Sequence, residues 1–420
     1  MRRQPGGGCT VAFLRSAPGP AAMFLAASLL SWAGFGGFSL AATWLVQRLT
    51  GSPAAVAGLV AAFNVPGVLV PLLGGVLIDR SDRRLLARRL ELFRAAGILL
   101  LPLLAWWARL LPSHVYAAAF ATTAAYMVFA PALSALLPEV VPARELLRVN
   151  SAWHAVVQVA TMAAQAGAGL AIEAVSMEAV LAGSAACHAG AALLLGTLPS
   201  PPVRKEGAEP PGSVARLAGG ALEGAARVLR SPTLRVPFLA SSIPWLAISL
   251  ANALVPPLVG DALGGTASDL GFIDSSIAMG AVAGGWAVAW LGRRGMERPV
   301  RWISVAAVAV ANAAFAGSRG VPAAVASGAL LGLSTTAARV LYYTHLQREV
   351  PAAVLGRAMS AVTFLGSSAS ALGVLGVGTL AEKTGPRAAF LVVGAAALVA
   401  SALVFAAFHR SESEPQNNQH

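Results

Sequence analysis

The sequence predicts an all-α integral membrane protein, with twelve transmembrane helices arranged as two pseudo-symmetric six-helix bundles. Three observations predict it. Of 420 residues, 57% are apolar and only 11% charged, roughly half the charged share of a soluble domain, so the chain has too few charges to cover a water-facing surface. Twelve stretches reach the roughly 20 apolar residues that a helix needs to cross about 30 Å of hydrocarbon. The second six repeat features of the first at an offset of about 210 residues.

The elements follow in order. Residues 1–20 are polar, basic and without an apolar run, as a short cytosolic tail would be. The first apolar run is too long for a signal peptide and ends in Val46-Gln47-Arg48, not in a small-residue cleavage site, so it is expected to stay as the first span. The first bundle, 21–199, carries spans near 22–47, 53–78, 90–110, 114–137, 150–172 and 177–198. Residues 200–234 interrupt the pattern: a Pro/Gly-rich polar stretch suits a cytosolic linker, and the basic amphipathic stretch after it suits a helix lying on the inner membrane surface. The second bundle, 235–409, carries spans near 235–259, 268–291, 299–318, 321–345, 358–381 and 387–408, and 410–420 form a second cytosolic tail. Prolines inside spans (Pro66, Pro71, Pro131, Pro244, Pro256, Pro257) are tolerated where neighbouring helices satisfy the freed backbone groups.

The net charge of +12 would in a soluble protein suggest nucleic acid, but that needs clustered Lys/Arg on a soluble face. Here the basic residues fall in the loops. With both termini cytosolic, 23 Lys/Arg lie in inside segments and five (Arg48, Arg109, Arg319, Lys383, Arg387) outside, with Arg94 and Arg339 within spans. That asymmetry sets the orientation in a cell inner or plasma membrane. The two cysteines, Cys9 and Cys187, are too few and too far apart for a disulfide framework or a zinc site.

The repeat is carried by two signatures. Gly74-Gly75 with Arg83-Arg84 match Gly284-Gly285 with Arg293-Arg294, and Val141-Pro142-Ala143 with Leu146, Arg148, Ser151 and Ala152 match Val350-Pro351-Ala352 with Leu355, Arg357, Ser360 and Ala361. Parallel six-helix repeats about an axis along the membrane normal are a transporter architecture. The loop Gly75-Val76-Leu77-Ile78-Asp79-Arg80-Ser81-Asp82-Arg83-Arg84 resembles the signature of the major facilitator superfamily, with Asp82 where that family usually has Gly. Leu137 to Pro142 through Asn150-Ser151 is similar to the loop of the drug- and siderophore-exporter branch, which includes enterobactin-exporter-like and macrolide-efflux-like permeases. The resemblance implies the major facilitator fold, and a gate in which Asp79 meets the start of helix eleven near Gly356-Arg357. A carboxylate facing a helix N-terminus is worth about 0.3–1 kcal/mol; an anchoring loop in which Asp79 merely offsets arginines is the plainer alternative. The helix-five antiporter motif is degraded, since 164–169 reads Ala-Gln-Ala-Gly-Ala-Gly without its Gly-Pro, and helix four lacks the family's Arg.

Polar groups within spans are functional candidates because each costs energy unless hydrated or paired. His154, Gln158, Thr161 and Gln165 share one face of helix five, either lining a path or bonding helices together. Ser242, Trp245, Ser249 and Asn252 share a face of helix seven, with Trp32, Phe35 and Ser39 in register on helix one; the mixture suits an amphipathic ligand or ordinary packing. Asp274, inside helix eight, is either a proton carrier, a substrate counter-charge or a hydrated vestibule residue. Arg339 on helix ten, near Thr335, Tyr342 and Tyr343, either pairs with an anionic or catechol-like substrate or snorkels to the cytosolic face. Glu91 and Arg94 are expected at the interface, and His188 as a packed, hydrogen-bonded histidine. Gly280/Gly284 and Gly328/Gly332 are small-residue pairs expected at tight helix contacts.

Lys383-Thr384 follows Glu382 instead of the Gly of a P-loop, and no hydrolase, dinucleotide or metal-site spacing occurs, so the expectation is a non-enzyme without cofactor. The reading is a monomeric secondary transporter exporting a small amphipathic molecule (a drug, antibiotic or siderophore-like metabolite) by alternating access. Protons are the expected coupling partner, and nucleic acid is not one. An importer or facilitator, and a non-transporting sensor or scaffold that keeps the fold, are the alternatives.

Overall fold

A computed structural model describes residues 19–70, 81–199, 232–350 and 352–413, with 226 and 230. Among them are twelve long helices and no strand: α1 (Gly19–Thr50), α2 (Pro53–Leu69), α3 (Arg83–Trp106), α4 (Pro112–Val140), α5 (Leu146–Ala174), α6 (Met177–Thr197), α7 (Pro232–Pro257), α8 (Ala267–Gly292), α9 (Glu297–Gly317), α10 (Val321–Glu349), α11 (Ala352–Thr384) and α12 (Pro386–Ser413). Ten are long and apolar enough to cross a membrane. The other two are α2, described only to Leu69, and α3, whose first turns carry Arg83, Arg84, Arg88 and Arg89. Of the predicted linker helix before α7 only residues 226 and 230 are described, both helical.

Local chemistry sets the boundaries. Gly51, at φ +59°, turns the chain after α1, a conformation open to Gly without a Cβ clash. Ser52 then caps α2 by accepting from the Ala55 N–H at 3.2 Å, with Pro53 in the first turn. Gly385 at φ +85° ends α11 before Pro386 opens α12. Thr266 and Asp269 form a reciprocal capping box on α8. Asp82, where the superfamily signature has Gly, caps α3 by accepting from the Leu85 N–H at 3.0 Å.

Packing repeats between the halves. In the first, α1 packs on α5 and α6, and α3 on α4 and α6; in the second, α7 packs on α11 and α12, and α9 on α10 and α12. Within the second half α8 and α10 are in very close contact: a Cβ on Gly280 or Gly284 would overlap the carbonyls of Ala329 or Leu333, and one on Gly332 the carbonyl of Ile277. The expected tight contact is therefore between these two helices.

The halves meet mainly along α5 against α8 and α2 against α11. We call the membrane face at which α1 starts proximal and the other distal. At the distal end the two seams are built alike. Gly169 of α5 backs onto Ala267 and Ser268 at the start of α8; Gly378 of α11 backs onto Pro53, Ala54 and Ala57 at the start of α2. One turn further, Glu173 accepts from the Ser268 N–H at 2.7 Å and hydroxyl at 2.6 Å, while Glu382 accepts from the Ser52 hydroxyl at 2.7 Å and the Ala54 N–H at 3.2 Å. Each half thus places a carboxylate on the helix N-terminus of the other, where backbone N–H groups and the helix dipole favour negative charge. The two glycines and the two glutamates stand at the repeat offset found in the sequence. Gln47 of α1 adds a bond to Asp261 at 2.8 Å.

On the proximal face, clamps act within each half. Arg83 at the start of α3 pairs with Glu139 at the end of α4, and Glu297 at the start of α9 pairs with Arg348 at the end of α10 at 2.7 Å. The Arg348 hydrogen bond holds the Glu297 carboxyl below the usual carboxylate range.

The distal latches carry a prediction. Replacing Glu173 and Glu382 together by Gln keeps the shape but removes the charge on each helix N-terminus, and is expected to favour distal opening by about fivefold per site. The measurement is the spin-label distance distribution between Leu49 and Lys383. An unchanged distribution removes the latch role.

Candidate functional site

A cavity of about 250 Å³ lies between the halves, bounded by α5, α7, α8 and α10. Thr161 and Gln165 come from α5, Trp245, Ile248 and Asn252 from α7, Asp274, Ile277, Ala278 and Ala281 from α8, and Gly332, Thr335, Thr336 and Arg339 from α10. One half supplies two of these residues and the other supplies the rest, including both charges. The cavity sits beside the α5–α8 seam, below the distal closure made by Glu173 and Ser268.

Its lining is chemically mixed. Thr335 turns its hydroxyl back to the Leu331 carbonyl at 2.6 Å, as Ser and Thr do inside spans. The buried Trp245 indole N–H has no hydrogen-bond partner. Asn252 and Arg339 are exposed to the cavity space. Helix register fixes where the charges stand. Gly332 lies between Ile277 and Ala281 of α8, so Asp274 is about one turn to the distal side of this contact and Arg339 about two turns to the proximal side.

Of the sequence-predicted residues, the structure brings Gln165, Trp245, Asn252, Asp274 and Arg339 together in this cavity. His154 and Gln158 share the α5 face but lie closer to its proximal end; both are exposed, and His154 stacks on Trp153 with ring centroids 5.8 Å apart. Trp32 and Phe35 do not join Trp245. They form an aromatic cluster inside the first half with Phe63 and Tyr126, with centroid distances of 5.3–6.3 Å. Tyr342 turns away from the cavity and is fully buried among Ala240, Val305 and Ala338, under the Arg301 guanidinium; Tyr343 is half-buried. Gly75, Asp79 and Arg80 lie outside the described residues, as do the side chains around Gly356 and Arg357. Arg83 makes the clamp to Glu139, and Arg84 donates to the Leu198 carbonyl at 2.7 Å, tying the start of α3 to the end of α6.

The expected interfacial position of Glu91 and Arg94 is overturned. Both are fully buried in the first half, paired at 2.7 Å. Glu91 also takes a hydrogen bond from Ser31 at 2.9 Å and contacts His188 Nδ1 at 2.7 Å, so His188 is packed and hydrogen-bonded as expected. Phe35, Tyr126 and Phe129 surround the Arg94 guanidinium at 5.8–5.9 Å. Glu91 and Arg94 thus neutralise each other in the hydrocarbon layer, with Ser31 of α1 and His188 of α6 completing the hydrogen bonds of the carboxylate, where an unpaired charge would be costly.

The major facilitator superfamily model matches residues 24–373 and 237–420, which together span nearly all of the chain. The chain belongs to the Major Facilitator Superfamily. Among its relatives, the multidrug efflux pump Tap of Mycobacterium tuberculosis is 26% identical over 386 residues, covering 89% of this chain and 90% of that one. An uncharacterized MFS-type transporter of Sinorhizobium fredii is 26% identical, covering 92% and 94%. Among solved structures, the nucleoside transporter NupG superposes with a TM-score of 0.77 at 16% identity over 92% of this chain and 98% of that one. A bacterial homologue of the iron transporter ferroportin, in an inward-facing state, gives 0.70 at 15% over 94% and 98%. At those identities the likeness shows the fold, which is that of a multi-pass membrane transporter.

Glu91→Ala would leave the Arg94 charge buried without its partner, at an expected cost of about 3–5 kcal/mol. The check is thermal unfolding of purified protein in detergent; an unchanged midpoint removes the structural role assigned to the pair.

Proposed function

We propose that this transporter exports a small amphipathic molecule across the cell membrane by alternating access, acting as a monomer with both termini cytosolic and driven by protons. The observation that carries the reading is the cavity between the halves, in which a carboxylate with no protein partner faces a mixed apolar and polar wall. An acid so placed can exchange a proton for the positive end of a cargo, because both compete for one negative charge. The distal closure fits a cavity that loads from the proximal, cytosolic side and discharges after the Glu173 and Glu382 latches part. The multidrug efflux pump among its relatives supports the outward direction.

Asp274 is the coupling residue in this reading, and Asp79 acts on the proximal gate. A screen for efflux into inverted vesicles, with and without a proton gradient, tests the whole proposal: gradient-driven accumulation of amphipathic cargo is expected. Movement only in the importing direction would replace it by uptake. With a cargo in hand, Asp274→Asn is expected to abolish gradient-driven accumulation, and a wild-type rate in that variant excludes Asp274 from coupling. For Asp79→Ala the expected outcome is turnover lowered about tenfold with binding affinity retained. Unchanged turnover excludes the gate role.

A further inference from the structure

Several ionisable side chains elsewhere in the bundle have protein partners: Glu91 with Arg94 and His188, Glu173 with Ser268, Asp261 with Gln47, Glu297 with Arg348. Asp274 and Arg339 line the cavity between the halves, and among the described residues neither makes a hydrogen bond or an ion pair. They also cannot satisfy each other. From the α8–α10 register about 12 residues of helix rise separate their Cα atoms, or about 18 Å. The glycine contacts that fix this register are backbone against backbone, so no side-chain rearrangement can slide one helix along the other. Both charges belong to the same half, and their spacing is therefore kept when the halves move.

We infer that the cavity selects a dipolar ligand, with a cationic group at one end, an anionic group at the other and an apolar or aromatic middle. It lies lengthwise, its cationic end at Asp274 toward the distal face and its anionic end at Arg339 toward the proximal face. Trp245, Ile248, Ile277 and Ala281 supply the apolar wall between the two, with Gln165 of the opposite half on the other side. A ligand with one charge satisfies one residue and leaves the other facing an apolar body, whereas a dipolar ligand completes both, each through a charge-assisted contact. This inference rests on the transport reading and specifies its cargo.

The test uses the full-length protein in lipid nanodiscs and three dyes sharing a xanthene body: zwitterionic tetramethylrhodamine, its cationic methyl ester, and anionic fluorescein. Binding is read by fluorescence anisotropy, and efflux of the same dyes is followed in vesicles. The zwitterion is expected to bind about tenfold more tightly than either dye that carries charge of one sign only. Arg339→Gln is expected to abolish its advantage over the ester, and Asp274→Asn its advantage over fluorescein. Arg339→Lys should keep the advantage over the ester, which separates loss of charge from loss of fold. Equal binding of the zwitterion and its ester by the wild-type protein overturns the inference, and so does a protein that binds none of the dyes while exporting other cargo. In both cases export itself still stands; absence of all gradient-driven efflux overturns the transport reading together with this one.

Discussion

Everything in this molecule depends on how closely two six-helix halves can approach along α5–α8 and α2–α11. Backbone must come near backbone there, because lipid offers no hydrophobic drive to hold helices together and association relies on close packing and hydrogen bonds. Gly169 and Gly378 permit the approach, and Glu173 and Glu382 use it, since only a short distance lets a carboxylate of one half reach the first N–H groups of a helix in the other. The seam is thus close-packed, with its distal polar latches set beside a buried apolar cluster to which both halves contribute, Val56 and Ala57 of α2 with Val377 and Ala381 of α11 among them.

Charge is the second organising quantity, and its placement separates three roles. The Glu91–Arg94–His188 group is a fully enclosed, neutralised set that holds α3, α6 and α1 in one half. The clamps at Arg83–Glu139 and Glu297–Arg348 are exposed and weak, and they position helix ends. Asp274 and Arg339 belong to neither class, because they face open space.

Much of this was legible in the sequence. Twelve apolar spans, a duplicated half and the glycine pairs of α8 and α10 all follow from counting and spacing, and polar residues in apolar helices pointed to Gln165, Trp245, Asn252, Asp274 and Arg339. What failed did so for identifiable reasons. Glu91 and Arg94 lie a few residues from a loop full of arginines, and linear position cannot distinguish an anchor from a buried pair whose partner, His188, lies far along the chain. Register between helices places Trp32 and Phe35 with Trp245, and spacing along α10 places Tyr342 near Arg339, but the rotation of each helix is set by its neighbours, which the sequence does not state. The latch glutamates Glu173 and Glu382 align in the repeat, but a charge near a helix end does not by its position alone point to a partner in the other half.

The two proximal clamps are of opposite polarity: arginine begins α3 where glutamate begins α9, and glutamate ends α4 where arginine ends α10. A duplicated chain faces a sorting problem as it enters the bilayer, because each helix of one half has a counterpart in the other. Were the clamps alike, α3 could pair with α10, and α9 with α4, as readily as with their proper neighbours. With polarity reversed, those crossed pairings bring arginine to arginine and glutamate to glutamate, and like charges reject the mismatch. The reversal lets two halves of common design assemble beside each other without exchanging parts.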